Sequence, residues 1–152
     1  MKKIWLFVFM LAFGMACFAQ SANPKYNKAL ADSMGGDDYG MKMYVLVMLK
    51  TGSNTTASKE LSDSLFKGHM SNMGRMVADG KLIVAGPLKK NDKTYRGIFI
   101  LNVKTVEEAN ALLQTDPAIN GKLLDAEVYQ WYGSAALPLY LKEHEKLEKK
   151  KM

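Results

Sequence analysis

One nine-residue run constrains this chain more than any other: Asp79-Gly80-Lys81-Leu82-Ile83-Val84-Ala85-Gly86-Pro87. Gly80 supplies a left-handed stop for a preceding helix. Leu82 to Ala85 is an apolar stretch of strand length, and Gly86-Pro87 is a turn. Helix, strand and turn follow with almost no slack, so the helix must lie directly on the sheet that holds the strand. A lone histidine, His69, stands on that helix ten residues before Asp79.

The flanking pattern completes the order. Met43 to Leu49 predicts a strand with apolar residues on both faces, and Thr51 to Ser58 a polar loop. The long helix runs from about Ser58 to Asp79, with Leu61, Leu65, Met73 and Met76 as its apolar stripe. Lys89 to Thr94 is a polar turn and Tyr95 to Val103 a third strand. Thr105-Val106-Glu107-Glu108 is a capping box, opening a helix with Val106, Ala109, Leu112 and Leu113 inward. Asp116-Pro117 ends it, since a residue before proline avoids the helical region. Lys122 to Tyr132 is a fourth strand, and Leu137 to Lys151 a last helix with Leu137, Leu141, His144 and Leu147 on one side. Strand-helix-strand-strand-helix-strand is the split βαβ, ferredoxin-like α+β pattern: a four-stranded antiparallel sheet with two helices on one face.

Two helices leave the second sheet face open, and an open face is normally polar. Here Val45, Leu46, Val47, Ile98, Phe99, Ile100 and Leu101 make the first and third strands apolar on both sides. Something must cover that face. The tail helix is one candidate. A second copy of the sheet buries more, so a homodimer is expected.

The N-terminus has a different character. Lys2 and Lys3 precede an apolar run from Ile4 to Ala16, and small residues at Cys17 and Ala19 suit cleavage before Gln20. Residues 1–19 are thus expected to be a signal peptide and the mature chain periplasmic or secreted, with no transmembrane helix. A lipoprotein anchored at Cys17 is the alternative. Residues 20–41, polar and holding Pro24, Gly35 and Gly36, read as a flexible linker. The folded domain is expected at 42–133 and a charged helical tail at 134–152.

Loss of Lys2 and Lys3 lowers the formal net charge from +6 to +4, and the lysine excess concentrates in the tail. No basic stripe with interleaved aromatics exists, which argues against nucleic acid. The sole cysteine leaves with the signal, and the two histidines, His69 and His144, are far apart, so no metal site is expected. Gly86 and Gly97 are not spaced as a phosphate loop.

His69 follows Leu65 by four residues and precedes Met73 by four, so it belongs to the sheet-facing stripe. A titratable ring there is either a core histidine satisfied by backbone or a group lining a cavity. Asp116 reads locally as the N-cap of a short turn from Pro117 to Gly121. A carboxylate orienting an imidazole is its functional reading. Arg96 and Trp131 are weaker candidates for walls of a substrate pocket.

These residues resemble a known family. A histidine on the first helix, the Gly-Lys-Leu-Ile-Val-Ala-Gly-Pro run, Tyr95-Arg96-Gly97-Ile98, Val106-Glu107-Glu108-Ala109, Asp116-Pro117 and a closing Trp131 are together similar to the YCII-related (YciI-like) family, over about Met43 to Tyr132. The resemblance implies a dimeric α+β barrel and a pocket with a His-Asp pair, carried here by His69 and Asp116. It also implies cofactor-free acid–base chemistry on small molecules, of the isomerase, lyase or dehalogenase kind. The export signal, the linker and the helical tail depart from the family's bare domain. Two functions follow as expectations: an enzyme using His69 and Asp116, with Arg96 and Trp131 shaping the site, or a non-catalytic small-molecule-binding or assembly domain.

Overall fold

The computed structural model of the chain describes residues 23–149. The expected signal peptide, its cleavage site before Gln20 and Cys17 all lie outside the described residues. No helix among the described residues is long and apolar enough to cross a membrane.

The stretch expected to be a flexible linker contains a helix, α1 (Lys28–Met34). Its ends carry ordinary signals: the Asn27 side chain accepts from the Leu30 amide, and Gly35 closes it at φ 69°. No residue of α1 is buried; Ala31 and Met34 are half-buried and the rest exposed.

The sheet is built from β1 (Met41–Thr51), β2 (Leu82–Pro87), β3 (Tyr95–Leu101) and β4 (Leu124–Ser134), all antiparallel and ordered β2-β3-β1-β4. Helix α2 (Lys59–Ala78) joins β1 to β2. Ser58 caps its start, and Gly80, at φ 65°, follows its end. Helix α3 (Val106–Leu113) opens on the expected capping box of Thr105 and Glu108. The short α4 (Pro117–Asn120) follows, capped by Asp116. This is the βαββαβ architecture of the ferredoxin-like folds.

Alternation along the strands sorts the faces. Val45, Val47, Leu49, Phe99 and Leu101 point toward the helices and form the core with Met76, Leu82, Ala109 and Leu113. On the opposite face Leu46, Met48, Ile98 and Ile100 are only half-buried.

The tail differs from a single helix over Leu137 to Lys151. A 3-10 turn (Leu137–Tyr140) leads into α5 (Leu141–Leu147), and neither buries a residue. Leu137 and Leu141 are half-buried, whereas Leu147, at the far end of α5, is 81% exposed. The Tyr140 hydroxyl ties the turn to the sheet by donating to the carbonyl of Ile83.

Candidate active site

Helix α2 and the start of α4 bring the two strongest sequence candidates together. His69 Nδ1 lies 2.7 Å from Asp116 Oδ2. Both groups are buried: Asp116 completely, His69 to 7% exposure. The two carboxylate oxygens of Asp116 have different partners. Its Oδ1 accepts from the amides of Ala118 at 2.9 Å and Ile119 at 3.4 Å, the cap of α4, while Oδ2 faces the imidazole.

A glycine permits this contact. Gly68 precedes His69, and Pro117 follows Asp116. A Cβ on Gly68 would stand 2.7 Å from Cγ of Pro117, closer than carbon atoms approach. The bare backbone lets α4 press against α2 at the place where the carboxylate must arrive.

Burial raises the Asp116 pKa. The hydrogen bond from His69, the charge of its ring and the two amides of α4 outweigh that cost, and the carboxyl ends below its ordinary 3.8. The ring itself is held between aromatics. It stacks on Phe99, with centroids 5.9 Å and planes 21° apart, and meets Phe66 edge-on at 6.1 Å. Its other nitrogen, Nε2, has no hydrogen-bond partner among the described residues, yet it is not sealed from solvent. An ionised Asp116 can only accept at this contact, so a proton on Nδ1 faces it, and Nε2 is the ring nitrogen that solvent can reach.

A second polar group braces the pair. One turn beyond His69, Asn72 Oδ1 accepts from the Arg75 guanidinium and faces the Thr115 hydroxyl at 3.0 Å. Arg75 also donates to Thr115 Oγ1 at 2.8 Å. These bonds lock α2 to the residue preceding Asp116. The Nδ2 of Asn72 is buried without a partner among the described residues, an unused donor.

Trp131 and Arg96 do not join this cluster. Trp131 sits opposite Tyr44 in the β1–β4 register, on the face away from the helices, whereas Phe99 sits opposite Val47 on the helix face. The two rings pair at 5.8 Å. Arg96 is exposed at the bulge opening β3, with no side-chain hydrogen bond or ion pair among the described residues. His144 lies in the tail, edge-on to Tyr140 and 3.3 Å from Glu148. Among the described residues no three His, Cys, Asp or Glu side chains cluster as a metal site requires. Sequence reasoning missed Gly68, Asn72 and Phe99. The available signals were a glycine inside a helix and an asparagine three residues after His69 on its buried face.

Sheet order and pair together define a class: a ferredoxin-like α+β domain with a buried His-Asp couple between its long helix and a short capped turn. Residues 43–132, more than half of the chain, match the YCII-related domain, and the chain belongs to that family. No functionally curated protein matches its sequence. Among the solved structures it is similar to 5-chloro-2-hydroxyhydroquinone dehydrochlorinase (TftG) from Burkholderia phenoliruptrix AC1100, determined with 2,5-dihydroxybenzoquinone. That match has 18% identity and a TM-score of 0.42 and covers 57% of this chain and 92% of the other.

Proposed function

We propose that the protein is an enzyme that moves a proton on a small organic substrate, with His69 as general base and acid and Asp116 as its positioning residue. The observation that carries this reading is the asymmetry of the imidazole: Nδ1 is held by a buried carboxylate while Nε2 is left for a ligand. In the proposed step Nε2 removes a proton from substrate, the carboxylate stabilises the imidazolium that forms, and the same nitrogen returns the proton at a neighbouring atom. Geometry that fixes the tautomer is what such a base needs. No cofactor enters this scheme.

The test is proton exchange. A panel of small cyclic ketones and hydroxylated arenes is incubated in D2O with the protein, and deuterium incorporation is followed by NMR. Exchange at one carbon in wild type, lost in His69→Gln and strongly reduced in Asp116→Asn, is the expected result. Equal exchange in wild type and His69→Gln overturns the base assignment. Binding by both proteins with exchange in neither assigns a non-catalytic binding domain instead.

We propose two further properties. The half-buried apolar face of Leu46, Met48, Ile98 and Ile100 supports a homodimer formed sheet to sheet. The charged start, the Ile4 to Ala16 run and the small residues at Cys17 and Ala19 support export to the periplasm or outside. Mass spectrometry of protein from the native host should find Gln20 as the first residue. A lipid on Cys17 makes it an anchored lipoprotein, and an intact Met1 overturns export.

A further inference from the structure

A cavity of about 440 Å³ lies where α1 and the turn after it meet the start of β1, the loop after β3 and the end of β4. His69 and Asp116 are not among its walls. The residues before 43, outside the matched domain, supply half of this pocket's wall.

Its walls are of two kinds. Met34, Met41, Met43 and Val103 are apolar, and methionine adapts its shape to irregular ligands. Lys42 and Lys104 supply the positive charge. Neither forms an ion pair with a carboxylate among the described residues. The Lys42 ammonium lies 5.0 Å over the Tyr44 ring, a contact that favours its charge without cancelling it. Burial, and after it the charge of Lys104, pull the Lys42 pKa below its ordinary value. Lys42 is thus a partly buried cation, whereas Lys104 is exposed and lies near the Glu108 carboxylate, which accepts from its amide. The acid in the lining, Asp37, is already committed. Its Oδ1 accepts from the amides of Tyr39 and Met41, and its Oδ2 from the Tyr132 hydroxyl.

We propose that this pocket binds a small amphipathic organic anion, its apolar body on the methionines and its carboxylate or sulfonate head between Lys42 and Lys104. The volume lies within the range of small-molecule sites, roughly 300–1,000 Å³. An inorganic anion would leave the apolar wall unused, and a neutral ligand would leave the partly buried Lys42 ammonium without an anionic partner.

Calorimetry with the full chain tests this, using sodium octanoate, octanamide and inorganic phosphate. Octanoate should bind about tenfold or more tightly than either of the others, the factor a charge-assisted contact contributes. The double variant Lys42→Met, Lys104→Met should reduce octanoate to the affinity of octanamide, while His69→Gln should leave it unchanged. Methionine-methyl NMR of wild type should show octanoate shifting Met34, Met41 and Met43, which locates the site even if the double variant fails to fold. Equal affinity for octanoate and octanamide, phosphate as tight as octanoate, no octanoate binding at millimolar concentration, or methyl shifts confined elsewhere would each overturn the proposal.

Discussion

Gly68 and Pro117 touch only because one of them has no side chain: a Cβ at residue 68 would fall 2.7 Å from the proline Cγ. Each adjoins a member of the His69–Asp116 couple, so this approach sets the distance across which the couple meets. Gly68→Ala gains helix propensity, about 1 kcal/mol. It also forces a rigid ring away from α2, an overpacking cost of about 1–3 kcal/mol. The clash should win, with a net loss of about 1 kcal/mol and a lengthened His69–Asp116 bond. Gly74 is the control, in the same helix, exposed and with nothing within 4 Å of its Cβ. Gly74→Ala should stabilise by about 0.5–1 kcal/mol. Urea unfolding of both variants checks the opposite signs.

Asp116 links stability to acid. Its folded pKa lies below the ordinary 3.8, so the unfolded chain binds more protons in the window between the two values. The stabilisation is complete above about pH 4 and is lost as pH falls through the depressed pKa. Asp116→Asn should cost about 2 kcal/mol at neutral pH, the scale of a hydrogen bond to a charged group. It should also flatten the fall of stability below pH 4. Thermal unfolding from pH 2 to pH 7 measures both effects, and an unchanged acid slope in the variant would show that another carboxylate controls it.

Local signals carried most of the architecture. The capping box at Thr105, the stop at Gly80 and the turn at Asp116-Pro117 are short-range, and each is where the sequence places it. His69 was legible as a buried ring because helical spacing sets its face. The contact between His69 and Asp116 was not, because it depends on two helices meeting across 47 residues of chain. Gly68 has no local signature of that meeting. Two errors lie at the ends. Helix α1 has caps but only seven residues and none buried, so a reading based on periodicity passes over it. The tail has a stripe whose last member, Leu147, finds no surface, so the same reading overextends it. Trp131 was placed near the site by position along the chain, whereas strand alternation sends it to the other face.

Tyr132 offers a spectroscopic check on the pocket beside α1. Its hydroxyl donates to Asp37, and this bond, with smaller contributions from burial and from the Asp37 and Tyr39 charges, raises its pKa to about 12. The same bond lowers Asp37. A phenolate step near pH 12 should therefore appear in the ultraviolet difference spectrum of wild type against Tyr132→Phe. Asp37→Asn should move that step down toward 10, because the acceptor no longer favours the protonated phenol. A Tyr132 step already near 10 in wild type would contradict the pairing.

The open sheet face gives the test of assembly. Its lower end is polar and internally satisfied: Glu127 faces Lys50 at 3.1 Å and accepts from the hydroxyls of Tyr95 and Tyr129, both at 3.0 Å. The apolar part is the patch of Leu46, Met48, Ile98 and Ile100, aligned across β1 and β3. A charge placed there is solvated in a monomer and buried in a dimer, where an unpaired ion is costly. Ile100→Asp should therefore convert a dimer to a monomer while leaving secondary structure intact. The polar change Glu127→Gln, at the rim of the patch, should leave the mass unchanged. Sedimentation equilibrium at micromolar concentration distinguishes the outcomes. A wild-type mass equal to one chain would remove the sheet-to-sheet dimer, and a dimer that survives Ile100→Asp would move the interface to another face.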